Sequence, residues 1–229
     1  MSDTLNQLRA SIDAIDDEIA RLLIKRQGFV HQVGEWKKTS GDTGSFIRPD
    51  REAIMIRSVI QKFTGSEFSP AAAAQLWRVI IGAALCLESP LHVSVSSRHP
   101  AALTLVREYF GNFVPAMLRD DDEKIITDCL ASPHTVGVVS TKPSAQDSDK
   151  PWWSSLTQYP QLKIFAKIPF VIFPDDAIAD EAYLIGQVKP TPTGDDETVI
   201  VTDHFNIKKG FHADEEGCIG AYAVPARVK

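Results

Sequence analysis

TLNQLRASIDAIDDEIARLLIKRQGFVHQVGEWKK, residues 4–38, reads as one continuous helix whose apolar seam runs into two cations. From Leu8 the seam steps through Ile12, Ile15, Ile19 and Leu22 by alternating fours and threes. That is the spacing of a helix packed lengthwise against other helices. The same steps continue to Arg26, then Phe29 and Val33, and one more four reaches Lys37. A buried cation without a partner costs several kcal/mol, so two on one seam point to an anionic ligand inside a helical bundle. The ordinary alternative is that both reach water or pair with an acid on a neighbouring helix. Arg26 and Lys37 are three turns apart on one face, about 16 Å along the axis, so long side chains could grip one small molecule over Val30 and Val33. Arg9 lies about 25 Å from Arg26 along the axis and well round the helix, so one ligand cannot touch both within a chain. In an antiparallel dimer, Arg9 of one chain could approach Arg26 of the other.

A helix of this length, about 50 Å, is longer than a three-helix domain is wide. The two shorter helices that follow cannot cover its seam. A second copy of the chain is the economical cover, and an intertwined homodimer is expected. Helix two opens at Pro49 and carries Ile54, Met55, Val59, Ile60 and Phe63 to a stop at Gly65. Helix three has Ser69 as N-cap and Pro70 in its first turn, with Trp77, Ile80, Ile81, Ala84 and Glu88 along its seam, and ends at Ser89-Pro90. Residues 1–90 therefore read as an all-α domain. Past Pro90 the period changes: strand-like Leu91–Ser97, Val114–Leu118, Thr135–Ser140, Ile164–Phe173, Tyr183–Val188 and Thr198–Thr202 alternate with helical Ala101–Phe110 and Lys124–Ala131. Residues 91–229 read as an α/β domain, making the chain a multidomain α and α/β protein. No period is legible from His204 to Lys229.

Composition narrows the function classes. The 229 residues carry 24 Lys+Arg and 30 Asp+Glu, a formal charge of −6. Residues 1–90 hold 11 of each sign, so the excess acid lies in the second half. With no basic stripe, nucleic acid is not an expected partner. No apolar run is read as approaching the roughly 18 residues of a membrane span. The start, Met-Ser-Asp-Thr, has neither a basic nor an apolar leader region. Cys86, Cys129 and Cys218 are odd in number and unspaced for a metal or disulfides, which suits a reducing cytoplasm. His212 to Cys218, with Asp214, Glu215 and Glu216, could ligate a metal, but a solvated acidic turn is the better reading. Trp152-Trp153 reads better as core than as the cap of a cleft, and His92 and His99 as surface residues.

Leu8-Arg9, Ile12-Asp13, Ile15-Asp16, Leu22-Leu23, Arg26, Val33-Gly34 and Lys37, then Asp50-Arg51-Glu52, then Ile80-Ile81 with Glu88, resemble the all-α class of chorismate mutases over residues 4 to 89. The resemblance implies an intertwined homodimer with shared active sites that rearranges chorismate to prephenate without cofactor or metal. It implies that Arg26 and, from the partner chain, Arg9 bind the two carboxylates. Lys37 and Glu88 would bracket the ether oxygen, Glu52 would accept from the ring hydroxyl, and Arg51 would support that acid. Two positions depart from the family: Arg48 stands where an acid is common, and Ala84 where a hydroxyl is common. The same fold also supports pyruvate elimination from isochorismate, and a non-catalytic dimerising module with a metabolite-sensing α/β half is a third reading. The second half distantly resembles prephenate dehydratase. It lacks the Thr-Arg-Phe tripeptide (the nearest approach is Thr202-Asp203-His204-Phe205) and the glutamate-asparagine-serine signature, since Ser140-Thr141-Lys142 follows the Gly-Val-Val strand. It is expected to be degenerate and without dehydratase activity.

Overall fold

The computed structural model describes residues 2–40, 46–88, 90–142, 151–173 and 180–228. It shows an N-terminal helical region followed by a mixed α/β sheet. Contacts divide the chain into two compact units, Met1–Gly44 and Ser45–Lys229, so the boundary expected near residue 90 falls inside the second. A break expected over Thr39–Asp42 begins later than that, since Thr39 and Ser40 are still helical; Gly41 and Asp42, and residues 143–150 of the polar loop at Thr141–Pro151, lie outside the described residues.

The first unit is one helix, α1 (Ser2–Ser40). It starts two residues before the expected start at Thr4, which places Asp3 in its first turn, where a carboxylate favours the helix dipole. Its apolar seam is open: Leu8, Ile12, Ile15, Ile19, Leu22, Phe29 and Val33 are all exposed.

In the second unit, α2 (Pro49–Phe63) and α3 (Pro70–Glu88) form a hairpin with the expected bounds. Next come β1 (His92–Ser96), α4 (Ala102–Phe110), β2 (Ala116–Arg119), α5 (Asp122–Ala131) and β3 (Thr135–Ser140). They are followed by α6 (Trp152–Gln158), β4 (Lys163–Ile168), β5 (Val171–Ile172), β6 (Ala182–Gly186), β7 (Asp196–Val201), β8 (Phe205–Lys209), β9 (Cys218–Ala223) and β10 (Ala226–Arg227). Eight strands make one sheet in the order β2-β1-β3-β6-β4-β9-β7-β8, while β5 and β10 pair separately. Strands β2, β1 and β3 are parallel, as strand-helix-strand connections demand; β6 runs against both β3 and β4. The stretch with no legible period supplies β8, β9 and β10.

Alternation along the strands sends side chains to two cores. Val136, Val138 and Leu184 join a core shared with Ile56 of α2, Ile81 and Leu85 of α3, and Val106 and Phe110 of α4. Val139, Tyr183 and Ile185 join a second core with Ile125 of α5 and Trp152 and Leu156 of α6. Trp152 is therefore a core residue, its ring centroid 6.1 Å from that of Tyr183. His99, read as a surface residue, is buried, with Nε2 3.1 Å from the Glu181 carbonyl oxygen.

One expectation needs correction. α3 is long and apolar enough to cross a membrane by length and composition. Its buried face instead packs on α2 and α4, as a core helix does.

The α3–α4 approach is close. A Cβ added at Gly82 would stand 2.0 Å from the Phe110 carbonyl oxygen, a backbone atom that cannot swing aside. Gly82→Ala should therefore force the helices apart and lower stability by about 1–3 kcal/mol. Urea unfolding checks this; a variant as stable as the parent would contradict so tight an approach.

Candidate active site

The six expected site residues fall into the two units. On α1, Arg9 is exposed while Arg26 and Lys37 are half-buried, although the apolar residues of their seam are open. In the second unit Arg51 is exposed in the first turn of α2, Glu52 beside it is buried, and Glu88 is half-buried at the end of α3. Both departures have local explanations. Arg48 closes onto Asp50, Nε to Oδ1 at 3.1 Å and Nη2 to Oδ2 at 2.8 Å, so the cation where an acid was expected neutralises the acid two places on. Burial raises the Asp50 carboxyl, but the Arg48 fork and backbone donors outweigh it and hold the group below its usual range. Ala84 is a buried core residue.

Around Glu52 the structure gathers two residues not singled out in the sequence. Arg78 of α3 is 3% exposed and donates from Nη2 to Glu52 Oε2 at 3.0 Å, and from Nε to the Tyr109 carbonyl at 3.2 Å. Tyr109 of α4 sets its hydroxyl 3.4 Å from the same Glu52 oxygen and its ring 3.6 Å from the Arg78 guanidinium carbon. Glu52 Oε1 and Arg78 Nη1 are buried and without hydrogen-bond partners. The signal that marks Arg26 is present at Arg78 too: it stands in step with Ala74, Ile81 and Leu85, the buried face of α3. Because α3 is apolar on nearly every side, that face could not be chosen from the sequence. Tyr109 carries no such signal, since its partner is 57 residues away.

Burial pushes the Glu52 carboxyl above its usual range, against the pull of Arg78 and the Tyr109 hydroxyl. A raised carboxyl binds its proton more tightly folded than unfolded. Its contribution to stability is thus full at low pH and lost as pH rises through the folded value. Burial also raises the Tyr109 hydroxyl, which stays protonated and able to donate. Two crevices flank this cluster, the larger holding about 370 Å³ of space open to solvent and lined by Gln75, Arg78, Leu105, Tyr109 and Phe170. Neither contains any of the six expected residues.

Glu215, in the acidic turn near the C-terminus, pairs with Lys208 at 2.7 Å, and no cluster of three potential metal ligands occurs among the described residues.

Removing one member of a buried ion pair leaves the other charge uncompensated. Arg78→Leu should cost about 3–5 kcal/mol in urea unfolding, and the double variant Glu52→Leu/Arg78→Leu should recover most of it. Strictly additive losses would show that the two side chains do not interact.

Comparison with known proteins gives these residues a context. The bifunctional chorismate mutase/prephenate dehydratase of Pseudomonas aeruginosa is 26% identical over 148 residues, 63% of this chain and 40% of the relative. The enzyme of the same name from Stutzerimonas stutzeri is 26% identical over 149 residues, with the same shares. The one from Aquifex aeolicus is 32% identical over 117 residues, 48% of this chain and 31% of the relative. The chain thus spans less than half the length of these curated relatives. Each alignment is longer than the helical segment and so continues into the α/β part. No solved structure matches the chain significantly. Residues 8–89, which hold α2, α3 and all but the first turns of α1, match the chorismate mutase type II family.

Proposed function

We propose that this chain is a chorismate mutase, an isomerase of aromatic amino acid biosynthesis that converts chorismate to prephenate. The observation that carries the reading is the placement of Arg26 and Lys37. Both are half-buried cations on one apolar helix seam, inside the segment that matches the family.

The chemistry suits what these residues offer. The rearrangement is unimolecular and pericyclic, and needs no nucleophile, metal or cofactor. The protein has to hold a compact diaxial conformer and stabilise the negative charge that develops on the ether oxygen as its C–O bond stretches. Two carboxylates call for guanidinium forks, supplied by Arg26 and by Arg9 of a partner chain. Lys37 and Glu88 bracket the ether oxygen. Glu52 accepts from the ring hydroxyl through Oε1, the oxygen left without a partner, and Arg51 supports the acidic side of the site.

The open seam of α1 supports a homodimer with shared sites. Leu8, Ile12 and Ile15 are 59%, 58% and 60% exposed, and a second long helix would cover them. Free Cys86, Cys129 and Cys218 accord with a cytoplasmic location. The α/β half, missing both dehydratase signatures, leaves prephenate as the product.

The first test is the loss of chorismate absorbance on mixing with purified protein, with prephenate and phenylpyruvate followed in the same tube. Prephenate should accumulate, and Arg26→Ala and Lys37→Ala should each lower kcat/KM at least about a hundredfold with the fold intact. An inactive parent, or variants as active as the parent, would remove the assignment. The second test mixes Arg9→Ala with Arg26→Ala chains, each inactive alone. At equal mixing half the dimers are mixed, and each mixed dimer has one of its two sites complete, so about a quarter of full activity should return. Proven heterodimer without activity would show that Arg9 does not act across the dimer.

A further inference from the structure

We propose that the α/β half is a working part of the mutase site: Tyr109 of α4, together with Arg78 of α3, holds Glu52 so that one carboxylate oxygen is fully engaged and the other is left for the ring hydroxyl of the substrate. This rests on the mutase reading and extends it to Tyr109, outside the segment that matches the family.

The division of labour between the two oxygens is the central observation. Oε2 receives both donors, Arg78 Nη2 at 3.0 Å and the Tyr109 hydroxyl at 3.4 Å. Oε1 receives none and is buried. A carboxylate fixed through one oxygen has its plane and the direction of its second oxygen set before a ligand arrives, the preorganisation that positional catalysis needs. Arg78 is itself held on three sides: by Glu52, by the Tyr109 carbonyl, and by the Tyr109 ring beneath it. Tyr109 therefore acts on Glu52 twice, directly through its hydroxyl and indirectly by fixing the guanidinium. The Tyr109 ring is braced in turn by Phe110, edge-on with centroids 4.8 Å apart.

The α/β half holds the hairpin at two further places. Gly82 lets α3 lie against the Phe110 carbonyl. Arg57 of α2 reaches Thr193 Oγ1 at 3.0 Å and the carbonyls of Asp195 and Val224 at 2.9 and 2.8 Å. The hairpin that carries Glu52 is thus held against α4 and against the segments just before β7 and just after β9. Tyr109 and Arg78 are positioning residues, because neither need touch the substrate.

Tyr109→Phe is the test, since it keeps the ring under Arg78 and removes only the hydroxyl. The charged and titratable groups facing Glu52 are Arg78 from α3, Tyr109 from α4 and Asp50 from its own helix. Ionised Glu52 accepts the ring hydroxyl, so kcat/KM should fall as pH falls through its titration. Loss of a donor to the ionised form raises that titration, so the acid limb of Tyr109→Phe should move to higher pH. The kcat/KM at neutral pH should drop about two- to tenfold. Arg78→Lys, which keeps the charge but loses the fork, should move the limb in the same direction. Carbon-13 titration of the Glu52 carboxyl in parent and Tyr109→Phe protein reads the same shift without turnover. A parent that turns over chorismate while Tyr109→Phe shows an unmoved limb and an unmoved Glu52 titration overturns the inference and leaves the mutase reading standing. A parent with no turnover at all removes both.

Discussion

The buried pair of Glu52 and Arg78 is the constraint from which the arrangement of the second unit follows. Two charges taken out of water are tolerable only when their remaining hydrogen-bonding groups are served. Arg78 meets that condition only in part, by borrowing from a third element: its Nε bonds the Tyr109 carbonyl and its plane lies over the Tyr109 ring, while Nη1 has no protein partner. The pair therefore cannot form unless α2, α3 and α4 are all in place. Gly82, which admits the Phe110 backbone, is what lets α4 come near enough for Tyr109 to take part. A packing detail between two helices thus becomes an electrostatic condition on a third.

The first unit poses the opposite problem. α1 has 39 residues and an apolar seam whose Leu8, Ile12, Ile15, Ile19 and Leu22 are all exposed. Full burial of a Leu or Ile side chain contributes about 1.5–3 kcal/mol, so the seam represents a large unrealised stabilisation. A rigid helix can realise it only against something equally long, and that geometric demand favours a second copy of the same helix over any short segment.

Most of the helical architecture was legible in the sequence because each signal was local. Proline at the start of α2, Ser69-Pro70 before α3 and the four-three spacing of α1 need no knowledge of the fold. What was not legible is what long-range contact decides. Arg78 is invisible as a site residue because α3 is apolar on almost every side, so no periodicity says which face is inside. That same character lets it pass for a membrane span by composition. After His204, β8 escaped because it is a largely exposed edge strand and β9 because it is buried along nearly its whole length; either way the alternation that marks a strand is erased. His99 was misplaced because its buried partner is the backbone carbonyl of Glu181, 82 residues away. No side-chain pattern encodes a carbonyl.

The pericyclic rearrangement proposed for the chain also clarifies how an α/β half without catalytic signatures of its own can matter. No bond to the protein is made or broken, so rate depends on how firmly a few polar atoms are held relative to one another. Firmness is a property of packing. A short helical hairpin alone can bury little, but seated on an eight-stranded sheet it shares a core containing Ile56, Ile81, Leu85, Val106 and Phe110. Close-packed interiors resist small displacements, and a carboxylate tied into one inherits that stiffness through its ion pair. The sheet can then contribute to catalysis without contributing a reacting group, by denying Glu52 the freedom to move.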